Sequence, residues 1–330
     1  MKPIETKLVG RPVPRVDGRS KVTGQALYVA DLPAQGMLTG RMLLSRHPHA
    51  RIAGIDTGPA RNLEGVRAVI TAKDIPGENQ IGVILPDQPL LVDGEALWIG
   101  DCLALVAAES ESAAERAVEQ IRVDARPLPV IDDAEQAMRS SAAPLHPEGN
   151  VHTHLKIRKG DVEEGFAAAD IVFQETFRTQ RQEHAYLETL GVVAAPQGDG
   201  SLEIFGSMQC PFYVQKGVAG VLGWPLNRVR VIQTTTGGAF GGKEDVPSEI
   251  CAFAALLAVR TGRPVRMILS REEDLRRSSK RHPMTITYRM GATRDGRILS
   301  ARVRVVADTG AYATISPVVL YRSTVHAAGP

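Results

Sequence analysis

The stretch Gly237-Gly238-Ala239-Phe240-Gly241-Gly242-Lys243-Glu244 constrains the chain most, because four glycines in six residues cannot continue a helix or a strand. An alternating run, Arg228-Val229-Arg230-Val231-Ile232, precedes it and reads as a strand. A helix follows over Pro247 to Val259, with Pro in the first turn and Ile250, Phe253, Ala254 and Leu257 on one face. Thr261-Gly262, with Pro264 just beyond, stops it. Glycines let backbone N–H groups approach an anion, and a helix N-terminus adds the positive end of its dipole. The order strand, glycine loop, helix therefore predicts a grip on a phosphate, pyrophosphate or oxo-anion. The plainer alternative is a turn that only reverses the chain.

Two common uses of such a loop do not fit. Gly237 to Lys243 matches the G-x-x-x-x-G-K half of a nucleotide P-loop, but Glu244 stands where Ser or Thr would bind magnesium. The Rossmann spacing G-x-G-x-x-G is absent. Phe240 at the centre costs space in a phosphate loop unless it packs against a flat ligand. Glu244 has two open readings, a carboxylate beside a ligand or a cap on the following helix.

The rest of the chain bounds the answer. Its 330 residues suffice for two domains, each able to bury its own core. Lys and Arg number 39 against 37 Asp and Glu, and aromatics are 5%, which argues against nucleic acid. Cys102, Cys210 and Cys251 form no CxxC pair and read as reduced and buried. Neither an apolar leader at Met1–Glu5 nor a run near the ~18–20 residues that span a bilayer is present, so no membrane and a cytoplasmic address are expected. His47, His49, His152, His154 and His184 lack the HExxH spacing, and His184 beside Glu188 reads as a satisfied core histidine. The basic run Arg276-Arg277-Ser278-Ser279-Lys280-Arg281-His282 reads as a solvated face, with a subunit interface or cofactor-phosphate contact as the minor reading.

Residues 15–135 read as a compact α+β domain. Strand-like runs fall at Ala96-Leu97-Trp98-Ile99 and Leu103-Ala104-Leu105-Val106, and capping-box spacing at Ser112-Ala113-Ala114-Glu115 opens a helix. An extended linker is expected over residues 136–154. Residues 155–330 carry strand signals at 171–173, 191–194 and 201–205 and a hairpin, Thr285 to Met290 and Ile298 to Val306, turning at Asp295-Gly296. The ending, Val318-Val319-Leu320-Tyr321 and then Gly329-Pro330 with no closing helix, suggests a truncated or split subunit.

Here the residues resemble the xanthine dehydrogenase/aldehyde oxidase molybdenum hydroxylases. The loop at 237–243 is similar to that family's GG-[GA]-F-G-G-K. Ser207-Met208-Gln209-Cys210-Pro211-Phe212 resembles its Gln-bearing short strand, and Gly24 to Asp31 its opening segment. Arg46 to Ile52, Gln182 to Glu188 and Ser270 to Glu273 match in order, so the resemblance covers nearly the whole chain. It implies a small hammerhead domain over 15–135, then the first part of a molybdopterin-binding domain over 155–330. It implies that Gln209 donates its amide toward an oxygen ligand of molybdenum and that Phe240 and Gly241 line the metal's other side, none of them a side-chain ligand. Gly238, Ala239, Phe240 and Gly241 would hold the molybdopterin cofactor by backbone N–H groups, and Glu244 would orient a substrate heterocycle. The family hydroxylates an electron-poor carbon, with water as the oxygen source. Its general base is a glutamate far downstream of residue 330, so this chain alone would be inactive. Partners carrying [2Fe–2S] and FAD, and the missing C-terminal part, are implied too. Xanthine or hypoxanthine is the favoured substrate class, with nicotinate-type or aldehyde substrates as alternatives. Outside the family stand two rivals, a phosphate-binding protein using the loop and a non-catalytic assembly piece.

Overall fold

The computed structural model describes residues 8–327. Met1–Glu5 and Gly329-Pro330, both weighed above, lie outside them. The first part of the chain supplies strands β1 (Leu38–Leu44), β2 (Ala50–Asp56), β3 (Val66–Ile70), β4 (Glu95–Ala96), β5 (Cys102–Ala108) and β6 (Arg122–Pro127). The remainder supplies β7 (Ile171–Thr179), β8 (Gly191–Pro196), β9 (Leu202–Gly206) and β10 (Val229–Gln233). Then come β11 (Val265–Ile268), β12 (Met284–Ala292) and β13 (Ile298–Ala307). The mixture of helices and sheets is the α+β class expected.

One seven-stranded sheet has the order β10-β9-β8-β11-β1-β5-β3. It joins the two expected domains, since β1 runs parallel to β11 with Leu38 opposite Val265. The expectation of two independent cores is thereby corrected. One cluster lies within the first region, over Leu43, Ile52, Val106 and Ala117 among others. The other joins Leu38 and Leu105 to Ile204, Phe253 and Leu257. Strand β5 divides these clusters. Ala104, Val106 and Ala108 face the first, while Leu105 and Ala107 face the second. Burial on both faces is why its sequence is continuously apolar. Two smaller sheets, β4-β2-β6 and β13-β12-β7, flank it.

Several local expectations change. The run at 96–99 contributes only Ala96 to a strand, because the Asp101 carboxylate turns the chain by accepting from Leu97 N (2.7 Å) and Trp98 N (3.3 Å). The helix Glu111–Gln120 is capped by Ser110, whose hydroxyl accepts from Ala113 N, and not by Ser112. A short helix, Ala134–Ala137, runs into the linker, whose irregular part is pinned by Asn150, which bonds Leu145 N, Ala137 O and Ala143 O. A closing helix does form, Ser316–Val325, started by Pro317.

The basic run is a solvated face only in part, at the exposed Arg276 and Arg281. Arg277 is buried, pairs with Glu249 and donates to Gly100 O; Lys280 Nζ lies 2.7 Å from Glu183. Cys102 and Cys251 are buried as expected, but Cys210 is only half-buried. Among the described residues no helix is long and apolar enough to cross a membrane.

Candidate functional site

The helix Pro247–Thr261 anchors the site from below. Residues 247–258 are all buried, so it lies in the core with apolar residues all round and not on one face only. Its first N–H groups are already satisfied, since Ser248 N donates to Asp245 O and Glu249 N to Val246 O. The helix end is therefore not the anion grip expected from sequence. The open N–H groups belong to the loop.

Gly238 and Gly241 both have φ +96°, open to glycine and strained for other residues. Gly242 is needed for space: a Cβ there would lie 2.7 Å from His184 Nδ1 and 2.8 Å from Tyr186 Cε1. Phe240 takes φ 55° without being glycine, at a cost of about 1 kcal/mol. The residue is 75% exposed, so burial does little to offset this strain. Backbone strain of this kind concentrates at functional sites. Among the described residues, the N–H groups of Gly238, Ala239 and Phe240 meet no acceptor.

Gln209 stands beside them, past the end of β9 and just before the helix Pro211–Leu222, so it is in a loop and not on a strand. Its Oε1 accepts from Gly241 N (3.0 Å) and Lys243 N (3.3 Å), and its own backbone N–H donates to Lys243 O (2.8 Å). With Oε1 committed, the Nε2 of this exposed residue has no partner among the described residues and is free to donate.

Glu244 is half-buried and makes no hydrogen bond or ion pair among the described residues. The helix behind it has Val246 at its N-cap with no side-chain cap, which removes the cap reading of Glu244. Burial pushes the Cys210 thiol above its usual range, and the Glu244 and Asp245 carboxylates add to this.

Beneath the loop lies a cluster that the sequence did not single out. The Lys243 side chain is fully buried, with Nζ 2.7 Å from Ser207 Oγ and 3.1 Å from Glu188 Oε2, and 4.6 Å over the Tyr186 ring. Glu188 Oε2 also accepts from Gly237 N (2.7 Å) and Ser207 Oγ (2.6 Å). Burial pulls the Lys243 ammonium below its ordinary pKa, against the pull of Glu188. A lysine committed inward cannot serve a bound triphosphate, which counts against the phosphate-binding reading. Tyr186 donates to buried Asp274 (3.0 Å), and burial raises that carboxyl. His184, expected to be satisfied, keeps a buried Nδ1 beside Gly242 that has no hydrogen-bond partner among the described residues.

A cavity of about 2040 Å³ runs along the linker and residues 301–316. It reaches Asp245 and Ser248 but neither Gln209 nor the glycines of the loop, so the candidate cradle lies outside it. Among the described residues no group of three or more His, Cys, Asp or Glu could hold a metal directly.

Residues 145–330 match the molybdopterin cofactor-binding domain, and residues 23–129 match the aldehyde oxidase and xanthine dehydrogenase a/b hammerhead domain. The chain belongs to the aldehyde oxidase/xanthine dehydrogenase family of molybdopterin-binding proteins. It is 45% identical over 96% of its length to a probable xanthine dehydrogenase component of Bacillus subtilis, and spans 42% of that protein. It is 39% identical over 98% of its length to the nicotinate dehydrogenase large molybdopterin subunit of Eubacterium barkeri, spanning 76% of it. Among solved structures, quinoline 2-oxidoreductase from Pseudomonas putida 86 is similar at TM-score 0.82 and 29% identity, over 91% of this chain and 39% of that one.

Proposed function

We propose that this chain forms one wall of the cofactor and substrate site of a molybdenum hydroxylase acting on an N-heterocycle. The carrying observation is that the Nε2 of exposed Gln209 and three loop N–H groups have no partner among the described residues, beside a carboxylate, Glu244, that has none there either. The cofactor fits this donor set: an anionic, oxygen-rich group suits the amides of Gly238, Ala239, Phe240 and Gln209, and a glycine-lined surface lets it approach the backbone. When bound, it would supply two-electron oxidation of an electron-poor carbon, with water as the oxygen source.

The chain's own residues then have distinct tasks. Gln209 holds its amide N–H toward the cofactor. Phe240 offers an apolar ring beside it that excludes water. Glu244 accepts a ring N–H of the substrate, or donates to a ring nitrogen when protonated. The proton acceptor of the reaction lies outside this chain, so the chain alone is silent. A C-terminal part of the molybdopterin subunit and partners bearing [2Fe–2S] and FAD complete the enzyme, which we place in the cytoplasm.

Support for the substrate class comes from Glu244 and from relatives named for xanthine and nicotinate. The aldehyde reading rests on the similarity to aldehyde oxidoreductase from Desulfovibrio gigas, at TM-score 0.81 and 30% identity. Assaying the complete enzyme with xanthine, hypoxanthine, nicotinate and benzaldehyde decides between them. Turnover of a heterocycle is expected; turnover of benzaldehyde alone would contradict the role given to Glu244.

A further inference from the structure

Lys243 is where the two halves of the candidate cradle cross. Its main chain holds Gln209 through both N–H and C=O. Its side chain reaches the other way, to Ser207, two positions before Gln209, and to Glu188, whose carboxylate grips Gly237 N at the start of the glycine loop. A charged group buried this completely is expensive unless paired and hydrogen-bonded, and a hydrophobic residue of similar volume would serve stability as well. The charge therefore calls for a reason beyond stability. Geometry supplies one: three hydrogen bonds converge on Glu188 Oε2, from Gly237, Ser207 and Lys243, and together they fix the spacing between the loop and the Gln209 segment.

We propose that Lys243, with Glu188 and Ser207, is a positioning group of the cofactor site, setting the distance between the Gln209 amide and the loop N–H groups from behind. This rests on the cofactor reading above. Lys243 touches neither cofactor nor substrate. It acts through Gln209 and Gly237.

The test compares variants of the assembled full-length protein by hydrogen exchange and by molybdenum and pterin content. The double variant Lys243→Met/Glu188→Gln removes both charges of the pair and so avoids stranding one of them. Its melting temperature is expected to stay near wild type. Amide exchange in peptides spanning 205–210 and 236–243 is expected to rise about tenfold, as local opening becomes easier when charge-assisted bonds are lost. Cofactor content is expected to fall at least about threefold. Ser207→Ala, which keeps the ion pair, serves where the double variant fails to fold and is expected to raise exchange about threefold in the same peptides. Val69→Ala, in the cluster confined to the first region, is the control, with exchange and cofactor content unchanged at the loop.

Wild-type exchange at the loop in both brace variants would overturn the proposal. So would equal cofactor loss in the Val69→Ala control. If wild-type protein holds no molybdopterin, the cofactor reading fails while the exchange arm still decides whether the brace sets the loop.

Discussion

At the residue scale, the site separates groups that hold the fold from groups that do not. Glu244 bonds to nothing among the described residues, so Glu244→Gln is expected to leave the melting temperature unchanged. In the complete enzyme it should lower kcat/KM for an N-heterocycle by roughly 10–100-fold, the worth of one charged hydrogen bond, and spare aldehydes. Steady-state assays with both substrates check this, and equal loss on both would remove Glu244 from substrate recognition. Gln209→Ala strips the acceptor from Gly241 N and Lys243 N and the outward amide together, so cofactor content should fall with only modest destabilisation, about 1–2 kcal/mol. The glycine loop was legible in sequence because glycine density is a local signal, whereas Gln209 entered only with the family resemblance. The brace was not, because Lys243 and Glu188 lie 55 positions apart and neither is unusual where it stands. Nor does any local pattern say that the lysine of a glycine loop turns inward.

At the element scale, the loop depends on close approach. Gly242→Ala would drive a methyl group into the His184 and Tyr186 rings, and destabilisation of about 1–3 kcal/mol is expected. Denaturant unfolding measures it, and an unchanged midpoint would mean that the loop is looser than the packing indicates. Ser110→Ala should cost about 1 kcal/mol through the lost cap, whereas Ser112→Ala should cost less. Strands β5 and β9 and the helix Pro247–Thr261 were readable from apolar pattern. The helix Pro211–Leu222 was missed. Its Val214, Gly217, Val218, Gly220 and Val221 have low helix propensity, and burial of Val214, Val218, Val221 and Leu222 against the core is what holds it. The closing helix was missed for a similar reason, since Val318 and Val319 read as strand formers before Pro317 is given its weight as a helix start.

At the scale of the whole molecule, the sheet and a set of buried polar groups join what sequence divided at the linker. Asp101 belongs to the first region and accepts from the Tyr312 hydroxyl of the last (3.1 Å), while burial raises its carboxyl to about 6. The folded state thus holds that proton more tightly than the unfolded chain does. The stability this contributes is full below the unfolded value near ~4 and is lost as pH rises through about 6. Asp101→Asn cannot titrate, so the wild-type stability measured relative to it should fall by on the order of 3 kcal/mol from pH 4 to pH 7. A flat or rising difference would contradict the burial of this group. The join between β1 and β11 was not legible in local pattern, because Leu38 and Val265 pair across most of the chain.

The central claim, that Gln209 and the 237–244 loop form a molybdopterin cradle, is tested most directly by cofactor content. Full-length protein from cells that make the cofactor should carry about one molybdenum and one pterin per chain, and Gln209→Ala should lose most of both. Wild-type protein without pterin, or a variant that retains the full complement, would contradict it.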